Sequence, residues 1–225
     1  MGIVSVEKVN HLFWLGRYTE RVFTTLKTFD RYFDVMLDQE PDIYQKFCRR
    51  LAIPDIYRDM EDFIDRYLYD AENPDPLYAN LVRAYDNAVV MREELSSEVL
   101  AYIQLALDVL KGSRSARAPI VELQRVADYL LAFWGSADDY VESEESRNLM
   151  KCGKYVERLD LYLRFGMAGE QLDKEFSKLL NRLNRVRVRR NLEKMDRLTE
   201  IIQKGDGWKE HIQEAVTLAG EIVEV

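Results

Sequence analysis

Turn-forming residues are scarce. Ten glycines and five prolines stand in 225 residues, about half the usual share. All five prolines (Pro41, Pro54, Pro74, Pro76 and Pro119) precede residue 120. Collagen-like and low-complexity classes are excluded. There are two cysteines, Cys48 and Cys152, and neither belongs to a CxxC pair; no disulfide framework or zinc motif follows from them. There are two histidines, His11 and His211. A carboxylate-bridged di-metal bundle needs Glu-x-x-His on two helices, and no such spacing occurs, so no metal and no cofactor is expected. Cys152 has no evident base beside it and falls on an apolar arc, where a small hydrophobe fits. No Gly-x-Ser-x-Gly elbow and no Gly-rich phosphate loop is present. No run approaches the roughly 18 apolar residues of a membrane span. Met1 to Ser5 lack a basic stretch followed by an apolar run, so no signal peptide is expected. A net charge of −8 argues against nucleic acid and anionic membrane surfaces as partners and fits a cytoplasmic protein.

What remains is apolar material, 47% of residues, arranged at helical spacing. Leu12, Leu15, Val22, Leu26, Phe29, Phe33 and Leu37 recur every three, four or seven residues and predict one amphipathic helix over 5–38. Pro41 ends it. Helices are expected near 42–51, 55–70, 77–94, 97–111, 120–134, 137–165, 170–204 and 208–222. Ser96 or Ser97 caps the fourth of these, near 97–111. Residues 112–119 are the clearest loop, and Gly135-Ser136, Gly166 to Gly169 and Gly205-Asp206-Gly207 punctuate the rest. The expected fold is all-α: a single-domain helical bundle over residues 1–225, more than about 70% helix and without a β-sheet.

Two helical segments resemble each other. Leu12 to Lys27 aligns with Leu149 to Arg164 at six identities in 16 positions, around a shared Gly-(Arg/Lys)-Tyr-x-Glu-Arg. At 100° per residue, Gly16 and Glu20 share one border of the apolar arc, as do Gly153 and Glu157. Arg17 and Arg21, and Lys154 and Arg158, occupy the next stripe round. A mid-helix glycine costs roughly 1 kcal/mol relative to alanine, so a close approach of backbone or ligand should compensate. Cations at i and i+4 repel by roughly 0.2–0.5 kcal/mol, so each pair wants an anion. Burying Glu20 and Glu157 requires arginine or several donors beside them; Arg17, Arg21, Arg158 and Arg92 are the candidates. The two glutamates are expected on neighbouring helices related by an approximate two-fold axis. A third polar cluster includes Arg83, Asp86, Asn87, Arg92 and Glu98, with Asp86 and Glu98 as carboxylate partners for the arginines. The constellation reads either as a structural ion-pair network or as a ligand or partner site.

These residues also carry a resemblance. Trp14 to Arg21, Asp86-Asn87-Ala88 with Arg92 and Ser96-Ser97-Glu98, and Gly153 to Arg158 are similar to the alpha-E domain family, a bacterial all-helical family named for its Glu-Arg motif. The similarity covers about residues 8–165. Lys154 stands where the family more often shows arginine, which weakens bidentate anion binding there. The resemblance implies a genomic setting beside a circularly permuted ATP-grasp ligase and a transglutaminase-like protease, and service in peptide ligation or modification.

Three functions follow as expectations. The first is a non-catalytic or accessory helical component of such a system, with an anion-recognising cluster and the ATP-grasp-type ligase or the protease as partner. The second is an enzyme acting on an amide or peptide, with Glu20 or Glu157 as general base. The third is a purely structural interaction module. An open pocket lined by Glu20, Arg17 and Asp86 favours the enzyme; a closed, satisfied network favours a scaffold. The basic run Arg182, Arg185, Arg187, Arg189 and Arg190 reads as a solvated helical face paired with acids such as Glu193, or as a docking patch for an acidic partner. Trp14 and Tyr18 lie off the apolar arc and either cover a second helix or line a pocket.

Overall fold

The computed structural model describes residues 6–167 and 169–225, without the side chains of Gly205 and Asp206. The Met1 to Ser5 stretch read for a leader lies outside the described residues. The chain is 78% helical. The chain forms two compact units: Met1–Glu20 with Ser143–Val225, and Arg21–Glu142. The first helix explains how one element serves both. Helix α1 runs Val6–Asp38, 33 residues, or about 50 Å at 1.5 Å per residue, which is more length than one small core covers.

In the unit Arg21–Glu142, a 3-10 turn at Pro41–Ile43 leads into α2 (Tyr44–Leu51), α3 (Met60–Tyr69), α4 (Leu77–Val90), α5 (Ser97–Ser113) and α6 (Pro119–Tyr140). Asp59 caps α3 by accepting from Asp62 N, and Ser96 caps α5 by accepting from Val99 N. Helices α3 with α4, α4 with α5, and α5 with α6 pack in chain order. Phe29 of α1 is buried against aromatic rings of α2 and α3: its ring lies 6.3 Å from Phe47, 6.1 Å from Phe63 and 6.2 Å from Tyr67. The expected apolar face of α1 holds through Phe29, but Leu37 is exposed and Met36 is buried in its place. The expected break at Gly135-Ser136 does not occur. Both lie inside α6, a helix tolerating the glycine at modest cost, and the chain turns instead at Val141, where Ser143 begins the next cap.

In the other unit, residues 6–20 of α1 accompany α7 (Glu144–Phe165), α8 (Gly169–Leu183), β1 (Arg189–Arg190), α9 (Leu192–Ile202), a 3-10 stretch (Gly205–His211), α10 (Ile212–Glu221) and β2 (Val223–Glu224). Gly166 closes α7 at φ 73°, the left-handed region that glycine enters without a Cβ penalty. Helix α7 packs on α8 and α10, and α10 on α9.

Two expectations are corrected here. A small sheet exists: β1 and β2 pair antiparallel, Arg189 opposite Glu224 and Arg190 opposite Val223. The single helix expected over 170–204 is therefore two, and the arginine run is not one helical face. Arg185-Val186-Arg187-Val188-Arg189 alternates polar and β-branched residues with the period of a strand, and Asn191 starts α9 by accepting from Lys194 N.

Candidate functional site: the paired Glu-Arg helices

The glycine of each motif is where α1 meets α7. A Cβ built on Gly16 would collide with the carbonyl oxygen of Met150 and lie 2.9 Å from its carbon; a Cβ on Gly153 would collide with the carbonyl oxygen of Phe13 and lie 2.9 Å from its carbon. The contacts are reciprocal. Gly16 stands to Met150 as Gly153 stands to Phe13, which is the pattern a local two-fold axis produces. Each missing side chain admits the backbone of the other helix, offsetting the intrinsic cost of glycine.

That closeness sets the ion pairs. Arg17 Nε donates to Glu157 Oε2 at 2.7 Å, and Arg158 Nε donates to Glu20 Oε1 at 2.7 Å. The glutamate side chains are 0% and 1% exposed, and the arginines 12% and 17%. Each motif thus supplies a cation to the other's carboxylate. Isolated buried carboxylates would cost several kcal/mol, so the pairing is a condition of burial rather than an addition to it. Burial by itself would push Arg158 towards losing its proton. The Glu20 carboxylate and its hydrogen bond outweigh that, with help from Glu175, and raise the guanidinium above its ordinary value.

Glu175 was missed in the sequence. It sits on α8, where Arg158 Nη1 donates to its Oε2 at 3.3 Å and Lys178 Nζ to its Oε1 at 2.7 Å. The signal was available: Glu175 falls between Leu172, Phe176 and Leu179 on the buried stripe of α8, and a carboxylate on an apolar stripe requires a cation. The tyrosine following each Gly-(Arg/Lys) also has a task. Tyr155 carries Arg158 and Lys178 over its ring, at 5.9 and 5.8 Å. Tyr18 stacks on Trp14 at 5.3 Å, and Trp14 carries the Arg17 guanidinium at 4.8 Å. Trp14 and Arg17 also line a groove of about 480 Å³ with Phe13 and Lys194. Lys154, on α7, and Arg21, on α1, are both half-buried. Arg21 accepts at its backbone oxygen from Thr25 Oγ1.

The third polar cluster belongs to the other unit. Asp86, Arg92 and Glu98 are exposed and Asn87 is half-buried. Asn87 Nδ2 donates to Arg83 O at 2.7 Å, and Arg83 Nη1 donates to Pro74 O at 2.7 Å. Glu98 stands in the first turn of α5, where hydrogen bonds from its own backbone N–H and from Ser96 hold its carboxyl below the ordinary value. The partner role expected of Asp86 and Glu98 is filled instead by Glu157, Glu20 and Glu175, which lie in the same unit as Arg17 and Arg158. Among the described residues, no group of three or more His, Cys, Asp and Glu could hold a metal ion. No described helix is long and apolar enough to cross a membrane.

The two facing helices each carry a Glu-Arg dipeptide, Glu20-Arg21 and Glu157-Arg158. A family model described as a predicted alpha-helical domain with a conserved ER motif, Alpha-E, matches residues 8–181. The chain belongs to the Alpha-E family. The match takes in both Glu-Arg helices and α8 up to and beyond Glu175. No curated protein and no solved structure matches the chain.

In this Alpha-E chain the basic run is divided among several partners. Arg182 Nη1 donates to Asn148 Oδ1 at 3.1 Å, Arg185 lies 3.5 Å from Glu144, and Arg190 Nη1 donates to Asn184 Oδ1 at 3.0 Å. The acid beside Arg185 is therefore Glu144 at the start of α7, in place of the expected Glu193.

Proposed function

We propose that this Alpha-E chain is a non-catalytic, accessory helical component of a cytoplasmic bacterial peptide-ligation or peptide-modification system, with an ATP-grasp-type ligase or a transglutaminase-like protease as partner. The family resemblance supports that setting. The observation supporting the non-catalytic role is the burial of Glu20 and Glu157, each held by a guanidinium of the other helix. A general base must come within hydrogen-bond reach of the proton it takes, and these carboxylates offer solvent almost no surface. The anions that the motif arginines recognise are then the chain's own carboxylates, and the cluster works as a clasp that holds α1 on α7.

Reconstitution with the ligase or the protease tests this. The wild-type chain associates with one of them, and a folded Glu20→Gln variant keeps whatever turnover the pair supports. Loss of turnover with fold and association intact would make Glu20 catalytic and overturn the reading. Failure to associate with either partner would remove the accessory role.

A further inference from the structure

The part of the basic run left over from the contacts above faces a cleft. Arg187 and Arg189 are exposed, and among the described residues neither side chain has a hydrogen bond or an ion pair. They stand on either side of Val188, at the entry to β1, and both line the same groove. The Arg187 backbone N–H donates to Glu145 Oε1 at 3.3 Å, which anchors the chain as it enters β1. Beside these arginines runs a groove of about 480 Å³, between the start of α1 and the ladder of β1 and β2. Among the described residues its apolar lining is Val6 and Val9 from α1, Val188 beside β1, and Val225 after β2. Val6 is 77% and Val225 36% exposed. Among the described residues, one acidic side chain reaches the lining, that of Glu224. It stands opposite Arg189 in the ladder without forming an ion pair to it.

We propose that this groove docks an extended, acidic segment of a partner protein. Alternate side chains of an extended peptide point to opposite sides. One set of small aliphatic residues would lie along the valines while aspartates or glutamates between them reach Arg187 and Arg189. Arg187 and Arg189, without an ion pair among the described residues, give an anionic ligand two cations to meet in this groove, on a chain whose net charge of −8 repels it elsewhere. The inference rests on the reading of the chain as an interaction component and names the surface and chemistry of that interaction.

Anisotropy of a fluorescein-labelled Val-Glu-Val-Glu-Val-Glu peptide, titrated with the full chain, tests it. The comparisons are a Val-Lys-Val-Lys-Val-Lys peptide and the R187E/R189E variant, whose helical signal and melting are checked first. Both positions are exposed, so the variant is expected to fold. The acidic peptide binds wild type and binds the variant at least about fivefold more weakly, since two exposed ion pairs are replaced by repulsion. The lysine peptide binds wild type weakly or not at all. Equal binding of the acidic peptide to both proteins overturns the proposal, as does equal binding of both peptides to wild type or no binding of the acidic one. Arginine-dependent capture of single-stranded DNA or anionic vesicles without peptide binding also overturns it. Partner association separates this inference from the accessory role. A ligase that associates equally with both proteins, in the absence of peptide binding, removes the groove and leaves that role standing. Peptide binding without any ligase or protease association does the reverse.

Discussion

Replacing Gly16 by alanine adds one methyl group at the place where two backbones meet. The new Cβ would overlap the Met150 carbonyl oxygen, with Lys154 N only 3.1 Å away. These are backbone atoms and cannot rotate aside, so α1 and α7 must separate. Overpacking of this kind costs roughly 1–3 kcal/mol. Separation also stretches the 2.7 Å bonds of Arg17 to Glu157 and of Arg158 to Glu20, among side chains that water barely reaches. Helix propensity returns roughly 1 kcal/mol, so overpacking alone leaves a net loss of up to about 2 kcal/mol, and the stretched ion pairs add to it. By the reciprocity of the contact, Gly153→Ala should lose about as much. Gly135 is the internal control: it lies within α6 with nothing inside 4 Å of its added Cβ, so Gly135→Ala gains roughly 0.5–1 kcal/mol. Thermal unfolding followed by helical circular dichroism and by calorimetry reads all three. At about 2–4 °C per kcal/mol for a chain of this size, the first two variants fall by several degrees and the control rises. If Gly16→Ala and Gly153→Ala also rise, the close approach of the two helices is wrong.

Three further outcomes follow from the same structure. Glu175→Ala leaves Arg158 with one carboxylate and Lys178 with none of its described acid, and should cost about 1–2 kcal/mol in denaturant titration; an unchanged midpoint would show that Glu175 is incidental. Cys48 and Cys152 are fully buried, and burial pushes each thiol up to about 12. Neither should react with a thiol reagent at pH 8 in the folded chain, while both react in guanidinium; fast modification of the native protein would contradict their placement. Glu20→Ala strands the Arg158 charge beside Glu175 alone and should lose on the order of 3 kcal/mol, with Glu20→Gln losing less, as read by urea unfolding; equal stability of the two variants and wild type would refute the pairing.

The legible parts of the sequence were those set by local periodicity. The helical phase of Leu12 to Phe29 placed Gly16 and Glu20 on one border, and that placement survives in the contact with α7. The lone mid-helix glycines announced a close approach for the same reason: a glycine in a helix interior is unfavourable unless something occupies the space. Partner choice was less legible. Asp86 and Glu98 sit near arginines in sequence pattern, but both belong to the other unit, where Asp86 is exposed and Glu98 stands in the first turn of α5. Glu175 supplies the extra carboxylate from α8, a helix that carries neither Glu-Arg motif. The strand at Arg189–Arg190 was not legible because Arg182, Arg185 and Arg189 also fit a helical spacing, which masks the alternation of Val186 and Val188. Division of α1 between two units could not be seen in its own periodicity, which runs unbroken across Glu20 and Arg21.

The central claim is that Glu20 and Arg158 are energetically coupled as a clasp of two helices. A double-mutant cycle in urea with Glu20→Gln, Arg158→Met and the double variant measures that coupling directly. The account predicts a coupling of at least about 1.5 kcal/mol, with the double variant more stable than the sum of the two losses, as for buried charges removed together. Strict additivity, with both single variants folded, would contradict it.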